Sequence, residues 1–312
     1  MPALPSFDEL PRLPDSDLRH AWGVFGADDV LGTINLLTAE RVRAAADLVI
    51  SGQVISLVLP LDVPNPPLFG RDPYRHEVFA LNRNDMDDRL DCFHPQGSTQ
   101  WDGLGHVRCG KHGYWGGRTT DPVEGQNELG IEHVAEHGIV GRGVLADVAE
   151  WAAERGRPIS ALEPETVSAQ DIAATLDSQE VTLEPGDVLC VRTGWISAYR
   201  NLDAAGRAAI ALHPASVGLL ADEAMARFLW NAHISALCCD NPAIELPFGD
   251  PAVGSLHRRL LPLLGVTLGE LFDFEVLSNL CRRERRWTFL FTAAPLRLPG
   301  GLGSPANALA VL

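Results

Sequence analysis

Within the 24 residues of His94–Gly117, HPQGSTQWDGLGHVRCGKHGYWGG, stand three histidines (His94, His106, His112), one carboxylate (Asp102), two glutamines (Gln96, Gln100) and two tryptophans among seven glycines. Glycine lets a backbone turn tightly and approach a ligand closely. His, Asp and Gln at short spacing supply the donors, acceptors and metal ligands of hydrolytic chemistry. Asp102 and His106 are four residues apart; they share a face if the segment is helical, or bracket a tight glycine turn if it is not. A second group, His257 and Glu270, lies far downstream, and spacing alone ties it only weakly to the first. An oxygen-and-nitrogen set of this kind can hold Zn²⁺ or Mn²⁺ and generate a hydroxide from bound water. The plainer reading of the stretch is a loop with incidental histidines.

Other chemistries lack their motifs. The glycines form neither G-x-G-x-x-G nor G-x-x-x-x-G-K-[ST], and no G-x-S-x-G elbow is present. The six cysteines (Cys92, Cys109, Cys190, Cys238, Cys239, Cys281) contain no C-x-x-C pair, and the adjacent Cys238 and Cys239 sit in an apolar run as buried thiols do. A formal net charge of −16, from 41 acidic and 25 basic residues, argues against a nucleic-acid or anionic-membrane partner. The basic run Arg282, Arg283, Arg285 and Arg286 is interrupted by Glu284 and reads as a solvated turn. The first residues show no basic n-region followed by an apolar core, and no apolar run approaches the ~20 residues that span a bilayer. The expectation is a reduced, soluble, cytoplasmic protein acting on a small molecule.

The elements that must position these groups alternate. Residues 1–20, rich in Pro and Asp, read as an arm with little structure of its own, ahead of one domain over 21–312. Thr38 is a good N-cap for a helix over 40–50 that Gly52 stops, and QVISLVLPLDV alternates as a strand up to Pro64. Residues 65–84 are Pro-rich and irregular, with a short strand at 77–82 leading into the polar NDMDDRLD segment. A short helix is expected over 131–137, buried strands at IVGRGVLADV, LEPGDVLCVRTGW and HISALCCDN, and helices over 168–175, 214–232 and 270–280. LHRRLLPLLG reads as helical despite Pro262, and RWTFLFTAAPLRL as the final strand. The polar pair Asp240-Asn241 ends an apolar strand, a common place for ligand groups and also simply where strands stop. Strands separated by helices throughout mean α/β.

The sequence resembles the cyclase family, the metal-dependent hydrolases that include bacterial kynurenine formamidase, isatin hydrolase and proteins first described as polyketide cyclases. The family motif H-x-G-T-H-x-D-x-P-x-H falls on the eleven residues from Gln96 to His106. The likeness runs from about Trp22 to the end through WGVFGADDVLGTINLLT, STQWDGLGHV, GDVLCVRTGW, CDNPAIELP, LHRRLLPLLGVTLGELFDFEVL and APLRLPGGLGSPANALA. It implies a single α/β domain of the kynurenine formamidase type (swivelling β/β/α-like), with a mixed central sheet and flanking helices. Position by position it implies metal ligands at Gln96, Gln100, Asp102, His257 and Glu270, a catalytic histidine at His106, and a homodimer or higher homo-oligomer. Two family histidines are glutamines here, the motif glycine is Ser98 and its proline is Leu104, a Q-W-D form that resembles a longer branch of the family. A glutamine carbonyl is a harder, weaker donor than imidazole, so Zn²⁺ should be held less tightly and preference should move toward Mn²⁺ or Mg²⁺.

The expected reaction is hydrolysis of an amide, formamide or lactone. A water activated by the divalent ion attacks the carbonyl, and His106 moves the proton to the leaving group. One alternative is cyclisation or dehydration of a polyketide-like or aromatic intermediate, with His106 and Asp102 as acid and base and a weakened or absent metal. A third is a non-catalytic small-molecule binder on the same scaffold. Glu77 is a candidate extra carboxylate for a polynuclear centre, and His112, Tyr114 and Trp115 for the wall of an aromatic pocket. His94, His213 and His233 are read as loop or core residues.

Overall fold

The computed structural model describes residues 4–123, 127–247, 249 and 254–312, so residues 1–3 of the arm lie outside it. Its strands in chain order are β1 (Val54–Ser56), β2 (Arg75–Ala80), β3 (Met86–Asp91), β4 (Gln100–Asp102), β5 (Ile139–Asp147), β6 (Thr166–Val167), β7 (Val188–Arg192), β8 (Gly218–Leu219), β9 (Ala236–Cys239), β10 (Thr267–Glu270), β11 (Thr288–Ala293), β12 (Gly303–Pro305) and β13 (Ala308–Val311). The helices are α1 (Ala39–Ala46), α2 (Glu132–His137), α3 (Val148–Glu154), α4 (Ala169–Ser178), α5 (Trp195–Arg200), α6 (Ala204–Leu212), α7 (Glu223–Asn231), α8 (Leu256–Arg259) and α9 (Glu275–Glu284). Nine strands form one sheet in the order β1-β13-β11-β5-β7-β9-β10-β4-β12. Its centre, β5 to β10, pairs in parallel, and the flanking strands are antiparallel. This is the expected α/β domain with a mixed sheet and flanking helices.

Why the central strands read as unbroken apolar runs is plain from burial. Leu189, Val191, Leu237 and Cys239 point into one hydrophobic cluster, while Val188, Cys190, Ala236 and Cys238 point into the other. Both faces are covered, so nothing polar alternates with them. Helix starts follow local capping: the side chains of Thr38, Asp147, Ser168, Asp203, Asp222 and Ser255 each accept a first-turn backbone N–H. The arm is docked, with Phe7 and Leu10 buried in the larger cluster.

Several expected elements come out differently. Helix α1 stops at Ala46, and β1 keeps only three residues because the chain leaves the sheet before Pro60 and Pro64, which lack a donor for the ladder. The helix expected over 214–232 is only Glu223–Asn231; Asp222 caps it, and Gly218–Leu219 pairs instead as a strand with Thr166–Val167. The polar NDMDDRLD segment contains β3, and RWTFLFTAAPLRL is followed by two further strands. The helix expected over 270–280 begins at Glu275, and Glu270 ends a strand. That last difference sets the site.

Candidate metal centre

Strand period and register assemble the site. Within β4, Gln100 and Asp102 point to one face and Trp101 to the other, where its indole is fully buried against Phe272 and Phe291. In the antiparallel pairing of β10 with β4, Glu270 lies opposite Gln100, and Gly269 opposite Trp101. Glu270 therefore joins Gln100 and Asp102 on the same face. A Cβ on Gly269 would lie 2.6 Å from the Phe272 ring and 3.0 Å from Trp101, so only glycine lets the strands close here. Opposite Asp102 on β12, Gly303 leaves room for the Gln96 side chain, which a Cβ would meet at 2.7 Å. Ser98 and Thr99 tie the approaching loop down: Ser98 Oγ donates to the Val63 carbonyl at 2.6 Å with that of Pro60 3.0 Å away, and Thr99 Oγ1 donates to that of Leu271.

His257 arrives from α8. Its Nδ1 is 2.9 Å from Glu245 Oε2, and its Nε2 is 3.1 Å from Glu270 Oε1 and 3.4 Å from Asp102 Oδ2. Glu245, itself buried, also accepts from Ser255 Oγ and from the His257 backbone N–H. A carboxylate on Nδ1 fixes the ring so that Nε2 faces the other two acids, the usual way a ligating histidine is oriented. Sequence reasoning assigned no role to Glu245, although it lies within the CDNPAIELP segment; an acid in an otherwise apolar run was the available signal. Asp102 and His106 bracket a tight turn closed by a His106 N–H bond to Gly103 O, with His106 Nε2 3.9 Å from Asp102 Oδ2.

The two glutamines face the carboxylates. Gln96 Nε2 donates to Asp102 Oδ1 and lies 3.3 Å from His106 Nδ1, while Gln100 Nε2 donates to Glu270 Oε2. With a carboxylate on that side, the amide nitrogen must point to it and the carbonyl away. Gln100 Oε1 and Asp102 Oδ2 are then buried without a hydrogen-bond partner among the described residues. Two orphaned oxygens beside a histidine nitrogen form a donor set that suits a hard-to-borderline cation. Asp102, His257 and Glu270 each offer one ligand atom, all within 4.8 Å of one another. The residues therefore fit a divalent ion. In this geometry Gln100 can contribute a carbonyl, whereas Gln96 is engaged with Asp102 and His106.

Without an ion the cluster holds extra protons. Burial penalises every charge here. It raises Glu270 to about 7, with the neighbouring Asp102 carboxylate adding to the effect. Asp102 itself is held below the usual carboxylate range because His106, His257 and Gln96 outweigh its burial. His257 is pushed well above the ordinary histidine value: burial opposes this, but Glu245, Asp102 and Glu270 surround the ring.

These groups form the floor of an open cavity of about 1130 Å³, lined also by Phe69, Val107, His112 and Leu246. Other expected site residues lie elsewhere. Trp115 is core, donating to Asp29 and packing against Gly265, and Tyr114 bonds to Asp121, so neither walls this cavity; only His112 does. Glu77 is exposed on the β2–β3 hairpin and pairs with Arg89 at 2.7 Å. Asp240 accepts from the backbone N–H groups of Thr193 and Gly194 and from Thr193 Oγ1, and Asn241 donates to Val217 and Ile244 carbonyls, so that pair is structural. His94 lines a separate cleft of about 280 Å³ beneath the 64–73 loop. His213 ends α6 and His233 follows α7.

Comparison with known proteins agrees with this fold. The chain matches the sequence profile of the family described as "Putative cyclase" over residues 37–246. No curated protein sequence matches it. Among solved structures, one described as a novel cyclase is 32% identical, with a TM-score of 0.81 over 95% of this chain and 100% of that one. Isatin hydrolase A from Labrenzia aggregata, bound to benzyl benzoate, is 20% identical with a TM-score of 0.58, covering 83% of this chain and 93% of its own. A predicted metal-dependent hydrolase from Bacillus stearothermophilus is 17% identical with a TM-score of 0.52, covering 83% and 97%. The last two likenesses are of fold. The chain belongs to the cyclase family.

Proposed function

We propose that the chain is a metal-dependent hydrolase of an amide, formamide or lactone bond in a small cyclic or aromatic metabolite. The observation that carries this reading is the convergence of Asp102, His257 and Glu270 with the Gln100 carbonyl oxygen, under an open cavity that His106 also lines. Asp102, His257, Glu270 and the Gln100 carbonyl would hold the ion, with Mn²⁺ favoured over Zn²⁺ by three oxygens against one nitrogen. A divalent ion supplies Lewis acidity toward a carbonyl and toward water. Glu245 holds the His257 ring in place, and Gln96 steadies His106. His106, part-exposed to the cavity, carries a proton between the attacking water and the leaving atom. A cytoplasmic setting is supported by six unpaired cysteines, five of them buried. No helix among the described residues is long and apolar enough to cross a membrane.

The test is His106→Ala assayed on aryl formamides, cyclic amides and lactones. Turnover should fall about 10²–10⁴-fold with unchanged circular dichroism and metal content; activity near wild type would overturn the role of His106. Elemental analysis with chelation and reconstitution addresses the ion. If neither metal nor metal-dependent activity is found, the amide donors of Gln96 and Gln100 are satisfying both carboxylates unaided. The cyclase or dehydratase reading, with His106 and Asp102 as acid and base, then replaces hydrolysis.

A further inference from the structure

We infer that the substrate of this cavity carries an anionic group, a carboxylate on an aromatic or cyclic body, held at the rim by Arg258, Arg71 and Lys111 while the reacting carbonyl lies on the floor. The inference rests on the proposed reading of the cavity as the substrate site and adds the substrate class. Its starting point is the distribution of charge. The chain carries 41 acidic against 25 basic residues, yet among the described residues the rim of this cavity gathers Arg71, Lys111, Arg258 and Arg259 against one acid, Asp15. The remaining acids that line it, Asp102, Glu245 and Glu270, are on the floor and already engaged by His257 and the glutamines.

The cations come from separate parts of the chain, which a solvated charge run would not require. Arg71 lies in the loop before β2, its guanidinium 5.5 Å from the Phe69 ring centroid. Lys111 lies in the turn after His106, 3.6 Å from Asp15. Arg258 and Arg259 directly follow His257 on α8, and neither has a carboxylate within 4.0 Å among the described residues. Gly254, with φ of +119°, leaves the space beside the Arg259 guanidinium, which a Cβ would meet at 3.2 Å. Both guanidiniums act on the Cys109 thiol, which also lines the cavity: burial raises its pKa and they pull it back. Guanidinium and ammonium groups over an apolar wall are the usual means of binding a carboxylate on a flat body. Phe69, 38% exposed at the same rim, offers that wall. On a chain of net charge −16, such a rim also focuses anions that the rest of the surface repels.

The experiment is a fluorescence titration of the full-length protein with 2-naphthoate and with its neutral isostere 2-naphthamide. Naphthoate should bind at least about tenfold more tightly, and the difference should shrink as salt rises. Arg258→Gln and Arg71→Gln should each weaken naphthoate about three- to tenfold while leaving naphthamide unchanged, and Arg258→Lys should restore most of the loss. Equal binding of the two probes overturns the proposal. So does naphthoate binding that the rim variants leave unchanged but chelation abolishes, because the carboxylate then sits on the floor. The titration needs no turnover, so a failed hydrolase reading and a failed rim are read separately.

Discussion

Gln96 and Gln100 occupy positions where the family motif has histidines, and each puts an amide N–H on a carboxylate rather than an imidazole on a metal. One oxygen of each acid is thereby used, and the other is turned toward His257. That arrangement leaves a single place for a cation, on the His257 side. It also stores protons there when the cation is absent. Burial, with the Asp102 carboxylate adding to it, raises Glu270 to about 7, and the acids around His257 push it well above the histidine value against its own burial. A divalent ion binds the carboxylate and the neutral imidazole, so it must expel those protons. The sign follows: affinity rises as pH rises through about 7 and falls in acid. Isothermal titration of Mn²⁺ in two buffers of different ionisation enthalpy should show proton release at pH 7, with affinity gaining up to about tenfold per pH unit for each proton displaced. A Mn²⁺ affinity that is flat between pH 6 and 8, or binding without proton release, would remove the buried triad as the binding site.

The elements that carry the site are short, and their shortness explains what the sequence did and did not disclose. The long central strands and the helices at 169–178 and 256–259 were readable because burial on both faces or a side-chain cap leaves a local signature. Asp102 and His106 were readable as a pair from their glycine turn. The link from Asp102 to Glu270 was not, because it depends on the register of two strands of three and four residues that begin 167 positions apart. Glu270 in particular looked helical, since only four residues, turning at Leu271 with φ of +54°, separate its strand from α9. Nor could spacing show that Glu245 meets His257, since the contact is set by where the 241–247 loop passes α8. Gly269 makes the strand argument testable. Gly269→Ala places a methyl against the Phe272 and Trp101 rings and Cys238, and overpacking of this kind costs about 1–3 kcal/mol. With Trp101 on β4 among the groups it meets, the methyl should push β10 from β4, and Mn²⁺ affinity should fall by more than the loss of thermal stability alone would produce. A variant that unfolds more easily yet binds Mn²⁺ as tightly as wild type would show that the register does not hold the site.

At the scale of the whole molecule the β2–β3 hairpin stands out, because it has no core of its own. Its register puts His76, Val78 and Ala80 on one face with Leu90, Asp88 and Met86, and Arg75, Glu77 and Phe79 on the other with Asp91, Arg89 and Asp87. Val78, Met86, Leu90 and the adjoining Leu81 are 59%, 64%, 43% and 59% exposed. A lone two-stranded ribbon is marginal in water, so this one gains by covering its apolar face. A second copy of the chain is the occupant we propose, because an apolar face interrupted by one diagonal hydrogen-bonded pair, His76–Asp88, is complementary to itself across a two-fold axis. The net charge of −16 on each copy opposes association except through such a patch. Salt therefore acts in opposite directions on the two surfaces. Going from about 0.05 to about 0.5 M should weaken anion binding at the arginine rim and strengthen self-association, by screening the repulsion between copies. Sedimentation velocity at micromolar concentration should show a dimer or larger species. Val78→Asp with Leu90→Asp should give a monomer whose melting temperature stays within a few degrees of wild type and whose Mn²⁺ affinity is unchanged, since the triad lies on other strands. A wild-type monomer at every salt concentration, or an oligomer that survives both substitutions, would place the hairpin's partner elsewhere.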